Sequence, residues 1–452
     1  MLLFASCAFY MAFIPVYILI LLVTILIDYA AGIYIEQAQG RKRKLWLIAS
    51  IASTCLVLFV FKYFDFASQN LSALARFLDW NYPVKVLNII LPIGLSFHTF
   101  QSLSYVIEVY RGHQKAESRF GIYALYVMFY PQLVAGPIER PQNLLHQFDE
   151  DHHFNYDRTA SGLRLMAWGL FKKIVIADRL AIYVNAVYAT PHEFSALQLL
   201  AATFFFAYQI YCDFSGYSDI AIGAARIMGF KLMTNFDRPY SSKSIGEFWR
   251  RWHISLSTWF KDYVYVSLGG SRVSKWRHYL NLAITFIISG LWHGANWTYV
   301  LWGALNGFYL ITGAATSHLR DSFLRRLGIP ITAAWLNVIR IGITFALISA
   351  GWILFRAKTL GDACYIFSHL FFHLKLGSLS AGIPDFGRYD AMIAFVGILF
   401  LEIIQSARER RSMDARLRAM PPYCRWAVYY SCLFSLLFFG IYGKTQFIYF
   451  QF

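Results

Sequence analysis

Charge is scarce in this chain: Asp, Glu, Lys and Arg together supply 15% of its 452 residues, while hydrophobic residues supply 58%. Soluble globular domains carry about 25% charged residues. With a mean hydropathy of +0.46, the deficit excludes an ordinary water-soluble protein, and no long polar block stands apart as a soluble domain. Cysteine is scarce too. Cys7, Cys55, Cys212, Cys364, Cys424 and Cys432 show no CxxC or CxxH spacing, which argues against a zinc site, so no metal is expected, and against a disulfide framework. No segment repeats with a period of 20 to 50 residues, so a solenoid is excluded. Acidic residues are the rarest charges, 25 against 41 basic ones for a net charge of +16. The basic residues cluster between apolar spans, at Arg41 to Lys44, Arg272 to Arg277, Arg320 to Arg326 and Arg408 to Arg418. Cytoplasmic loops carry this pattern under the positive-inside rule, which favours membrane lipid over nucleic acid as the partner.

Apolar spans are expected at 2–35 (two short helices broken at Pro15), 45–63, 86–107, 120–137, 161–187, 196–211, 216–233, 279–297, 298–315, 333–355, 389–405 and 424–443. With about twenty residues per crossing, this predicts an all-α, polytopic integral membrane protein of about 11–13 transmembrane or re-entrant helices, read as one domain over 1–452. The first span lacks a basic segment ahead of it and is too long for a signal h-region, so it reads as membrane structure. Pro and Gly interrupt LPIGLSF (Leu91 to Phe97) and FYPQLVAGPIERP (Phe129 to Pro141); broken backbone at membrane depth persists only where protein or a wet cavity satisfies it. Aromatics near span ends, such as Tyr105, Tyr110, Tyr429 and Tyr430, read as an interfacial belt.

Against this apolar background SGLWHGANW (Ser289 to Trp297) places His293 behind the run NLAITFIISGLW. An ionisable group at membrane depth is a functional candidate, and imidazole can take and return a proton near neutral pH. The alternative is a core histidine bonded to a backbone carbonyl. Small Gly290, Gly294 and Ala295 leave room for a ligand, and Asn296 adds a polar neighbour. Upstream, IGEFWRRWHISLSTWFKDYVYVSLGGSR, read as a helix over 245–266, gathers Phe248, Trp249, Trp252, Leu256, Trp259, Phe260 and Tyr263 in one stripe, with Glu247, Arg251, Ser255, Thr258 and Asp262 opposite. His253 falls at the stripe's edge with Ser257 one turn on. This predicts an amphipathic or re-entrant helix. Asp213, Ser215, Ser218 and Asp219 sit where two apolar stretches meet; structural pairing with a cation such as Arg226 or Arg250 is the expected role of the carboxylates. Ser215 lacks the GxSxG elbow of a serine nucleophile. In the acidic connector, Asp149 to His153 (DEDHH) are adjacent residues, and adjacent loop residues rarely converge on one ion.

WRRWHISLSTWFKDYVYVSLGGSR followed by SGLWHGANW resembles the membrane-bound O-acyltransferase family, and its alginate-type members most. LPIGLSFHTFQSLSYVIEVYRG, FYPQLVAGPIERP, FKKIVIAD, YCDFSGYSDIAIGAARIMGF and TNFDRPYSSKSIGEFWRRWH extend the likeness over most of the chain in the same order. The resemblance implies helices ringed around a central funnel in a bacterial inner membrane. It makes His293, in its LWHG context, the catalytic residue and His253 its companion. Asp213, Asn296, Arg251 and Ser257 are expected as supporting residues. Acetyl-CoA is the implied acyl donor, with no permanently bound cofactor, and periplasmic SGNH-type acetyltransferases and polysaccharide synthesis and export proteins are the implied partners. Such members usually carry a further hydrophobic segment ahead of the match to LLFASCAFYMAFIPVYILILL, whereas here Met1 stands almost at it. Two alternatives are D-alanyl transfer to teichoic acid, performed by a relative with similar motifs, and a transporter using the histidines as a proton relay; the ending TQFIYFQF speaks against the first, and the absence of two matching halves against the second.

Overall fold

The computed structural model describes residues 1–80, 86–87, 92, 94–372, 383–408, 413–443 and 447–448. Every regular element among them is helical, as the apolar composition demands where no water can satisfy an open backbone. Four of the described helices are long and apolar enough to cross a membrane: Tyr17–Gln37, Gly40–Phe77, Ala334–Arg356 and Arg388–Ala407. The chain breaks at Pro15 as expected, between Leu2–Met11 and Tyr17–Gln37. Residues 88–91 and 93 of the span expected at 86–107, and most of the tail 445–452, lie outside the described residues. Two compact units form, one from Met1–Tyr156, Ala224–Met233 and Gly294–Asn296, the other from Asp157–Gly223, Thr234–His293 and Trp297–Phe452.

In the first unit the span expected at 120–137 is not a crossing. Its helix, Phe120–Met128, has nine residues, about 13 Å at 1.5 Å per residue, less than half of a hydrocarbon core. The chain then returns to the end it came from. Arg119, just before the helix, pairs with Asp149 at 2.6 Å, and Glu108 accepts from Gln142 at 2.7 Å. That end also carries the basic cluster, since the Arg43 guanidinium donates to the Val109 carbonyl at 3.1 Å. Pro131, Gly136 and Pro137 prevent the helix from continuing, and the freed backbone is satisfied by side chains: the amides of Gln101 and Gln132 both donate to the Tyr126 carbonyl. Tyr105 is fully buried rather than part of an interfacial belt. Its ring fills the space that Gly32 leaves, where a Cβ would lie 2.6 Å from Cε1, and its hydroxyl accepts from the Glu117 N–H. Asp28, also fully buried, accepts from Ser50 at 2.6 Å and Thr54 at 3.1 Å, tying two membrane helices by hydrogen bonds.

The two spans expected at 196–211 and 216–233 are one helix, Ala196–Met228, of 33 residues, and its part up to Gly223 belongs to the second unit. The polar cluster that suggested a junction is satisfied inside the bundle instead. Lys172 reaches Asp219 at 2.8 Å and Ser215 at 2.9 Å; Lys173 reaches Asp213 at 2.6 Å and Asp178 at 2.8 Å. The carboxylates therefore pair with these lysines. Both lysines lie in a π-helical stretch, Phe171–Ala177, whose wider turn re-aims side chains relative to an α-helix. The crossing is tight: a Cβ on Gly169 would meet the Gly216 carbonyl at 2.5 Å. Small residues at such crossings let backbones touch where lipid supplies no hydrophobic drive.

Candidate active site

The amphipathic helix expected over 245–266 is broken. Ile245–Arg251 ends, His253 takes a left-handed φ of 43°, and Ile254–Phe260 begins, followed by a π-helical turn at Lys261–Tyr265. Left-handed backbone is costly for a side-chain-bearing residue and persists only where its surroundings fix it. Here the segment around Asn235 acts as a splint: the Asp237 N–H donates to the Arg251 carbonyl and the Ile254 N–H donates to the Asn235 carbonyl, both at 2.9 Å. The aromatic stripe still faces inward, with Phe248, Trp252, Leu256, Trp259, Phe260 and Tyr263 buried. The break also buries Ser255, which an unbroken helix would place on the polar side.

His253 is 1% exposed and sits among rings, with centroids 4.5 Å from Phe214, 6.3 Å from Phe236 and 6.5 Å from Trp292. Its Nδ1 lies 3.2 Å from the Asn235 side-chain oxygen. Neither the amphipathic pattern nor the RRWH spacing pointed to Asn235, which lies 18 residues upstream and is nearly fully buried.

His293 is the last residue of Lys275–His293 and is buried. Three rings enclose its imidazole: Trp292 at 4.7 Å, Trp302 at 5.0 Å and Phe355 at 5.1 Å between centroids. Trp292 also faces His253, so the two imidazoles are no farther apart than the sum of their distances to that one ring. The helix that carries His293 packs closely on Trp297–Arg326: a Cβ on Gly290 would lie 2.3 Å from the Tyr299 carbonyl oxygen, and one on Gly303 would lie 2.3 Å from that of Phe286. The missing side chain of Gly290 thus serves helix contact and not, as expected, ligand space.

Of the supporting residues, Ser257 donates to the Trp252 carbonyl at 3.0 Å, and its N–H donates to that of His253; both bonds bridge the helix break. Arg251 pairs with Glu247 at 2.7 Å. Asp213 is two bonds deep in structure: besides Lys173 it accepts the Ile448 N–H at 2.8 Å, and its neighbour Phe214 is the ring that meets His253 edge-on. Asn296 is half-buried in the segment after the LWHG helix.

Side chains of the DEDHH connector diverge to separate partners. Asp149 pairs with Arg119, while His152 packs on Phe230 at 4.4 Å and reaches the Gln147 carbonyl at 2.8 Å. Nearby, a polar cavity of about 400 Å³ is lined by Glu139, Gln142, Asn143, His146, Gln147 and Lys231, among others. Burial pushes the Glu139 carboxyl up to about 7, against the opposing pull of the Met233 N–H and the Asn143 amide.

The model of the membrane-bound O-acyltransferase family matches residues 120–352, a stretch that contains both histidines and Asn235. A probable alginate O-acetylase of Pseudomonas aeruginosa is 40% identical over 373 residues, 82% of this chain and 69% of that protein. A peptidoglycan O-acetyltransferase of Helicobacter pylori is 36% identical over 79% of this chain and 71% of its own length. A teichoic acid D-alanyltransferase of Bacillus subtilis is 26% identical over 72% of this chain and 81% of its own.

Proposed function

The chain belongs to the membrane-bound O-acyltransferase family and is therefore a membrane-embedded acyltransferase; from that premise we propose that it moves an acetyl group from acetyl-CoA on the cytoplasmic side of a bacterial inner membrane toward an exported polysaccharide such as alginate. The observation that carries this reading is that buried His253 and His293 both meet the one ring of Trp292, at 6.5 and 4.7 Å between centroids. His293 is the base. It takes the proton of an attacking hydroxyl as the oxygen bonds to the thioester carbonyl carbon; the tetrahedral adduct then expels the thiolate, which receives that proton as a thiol. The position of His293 at a helix C-terminus suits the role, because the carbonyl end of a helix favours the imidazolium that forms in between.

No cysteine lies in either histidine motif, so direct transfer fits better than an enzyme thioester. Exposed Arg272, Lys275 and Arg277 at the start of the LWHG helix would draw in the donor's phosphates. Periplasmic SGNH-type acetyltransferases would then help pass the acetyl group on to the exported polysaccharide. The likeness to a D-alanyltransferase supports a second reading, D-alanyl transfer from a carrier protein to teichoic acid. Purified protein in liposomes, offered labelled acetyl-CoA and a labelled D-alanyl carrier in parallel, separates the two by which label reaches an acceptor. His293→Ala, with membrane insertion confirmed, abolishes acetyl esters on the polymer; undiminished acetylation refutes the base. His253→Ala leaves a small residue of activity.

A further inference from the structure

The Asn235 side chain has an unusual set of partners. Its oxygen faces three groups at once: the Ser255 N–H at 3.2 Å, the Ser255 hydroxyl at 2.9 Å and His253 Nδ1 at 3.2 Å. Its nitrogen donates to the Ser218 hydroxyl at 3.1 Å. A backbone N–H can only donate, so the atom that faces Ser255 is the amide oxygen, and the orientation of the amide follows from its contacts. An amide oxygen can only accept. The imidazole nitrogen opposite it must therefore carry the hydrogen. The Ser255 hydroxyl, 3.5 Å from Nδ1, has a single hydrogen and spends it on the shorter bond to Asn235.

A neutral imidazole has one N–H, and the bond made by one ring nitrogen sets the state of the other. Charging the ring would be costly at 1% exposure among Phe214, Phe236 and Trp292, and a neutral amide behind it offers no counter-charge. We propose that Asn235 is a positioning residue that fixes His253 in the Nδ1–H tautomer and presents Nε2 as a lone-pair acceptor to the reacting groups. The tautomer stands on contacts alone; the word "reacting" rests on the acyl-transfer reading. The consequence is a division of labour. A carboxylate behind an imidazole stabilises the imidazolium with a counter-charge; a carboxamide supplies none. His253 therefore holds and orients a hydroxyl through Nε2, and the proton goes to His293.

Two measurements test this separately. Magic-angle NMR of ¹⁵N-histidine protein in lipid, with His253 assigned by the signals that His253→Gln removes, shows a protonated Nδ1 and an unprotonated Nε2. The reverse pattern overturns the proposal whether or not the protein is an acyltransferase. In the transfer assay, Asn235→Ala lowers kcat by roughly 10- to 100-fold, the usual loss when an orienting partner is removed. Asn235→Asp keeps the acceptor and restores most of the rate, but its pH–rate profile moves upward because a charged partner now stabilises the His253 imidazolium. An Asn235→Ala enzyme with wild-type kcat overturns the positioning role. So does an Asn235→Asp enzyme with an unshifted profile. If the wild-type protein transfers no acyl group, the functional reading fails while the NMR result still decides the tautomer.

Discussion

Gly290→Ala is the sharpest perturbation of the helix pair that carries His293. The added methyl would lie 2.3 Å from the Tyr299 carbonyl oxygen, with the Gly303 Cα at 3.1 Å and its nitrogen at 3.2 Å. All three obstacles are backbone, so no side chain can swing aside, and the two helices must separate. Overpacking of this kind costs typically 1–3 kcal/mol, outweighing the roughly 1 kcal/mol by which alanine exceeds glycine in helix propensity. The functional cost is larger than the stability cost, because Gly290 lies one turn before His293 and any shift of the helix moves the imidazole against Trp302 and Phe355. A displacement of about 1 Å costs on the order of 100-fold in rate. The internal control is Gly313→Ala on the partner helix Trp297–Arg326, where a Cβ meets nothing within 4 Å; there the same chemical change is neutral or mildly stabilising. Thermal unfolding in detergent and acyl transfer in liposomes read the two effects. Wild-type stability and rate in Gly290→Ala would show that the helices do not meet as described.

Lys173→Met leaves Asp178 and Asp213 buried without their shared cation, and removing one partner from a buried pair costs about 3–5 kcal/mol; a melting temperature within a degree or two of wild type contradicts the pairing. Glu139 gives a stability effect of opposite sign to the usual carboxylate. Its pKa near 7 when folded exceeds the ordinary value of about 4.3, so the folded form keeps a proton that the unfolded form has lost. Stability therefore falls as pH rises from about 4.5 to 7, by roughly 3 kcal/mol in total, and levels off above. Glu139→Gln flattens that stretch of the melting curve against pH, and an unchanged slope in the variant rules out Glu139 as its source.

How far the sequence could be read depended on whether each signal was local. Pro15 broke the first span where it stood, and the aromatic stripe from Phe248 to Tyr263 is buried as its spacing implied. The break at His253 was not legible, because the stripe keeps helical register through it and the bonds that stabilise the break come from Asn235 and Asp237. The fusion of two expected spans into Ala196–Met228 escaped notice for the same reason. Asp213 and Asp219 look like a polar junction until Lys172 and Lys173, some forty residues earlier, are seen to neutralise them. His293 stood out by chemistry alone, as an imidazole behind an apolar run. Its companion was legible through family resemblance, and the amide behind that companion through neither route.

The surroundings of the two imidazoles differ in a way that bears on their roles. His293 ends a helix, where carbonyl dipoles favour a positive ring, and it is boxed by the aromatic faces and edges of Trp292, Trp302 and Phe355. Those rings exclude water, which would otherwise compete with the acceptor hydroxyl for the thioester. At His253 the backbone is held left-handed, the ring is deeper, and the group behind it is a neutral amide. Two histidines competing for one proton would waste the site's asymmetry. With one environment favouring charge and the other opposing it, the proton has a single destination, and exchanging the two environments, by giving His253 a carboxylate through Asn235→Asp, should make the two rings compete for it.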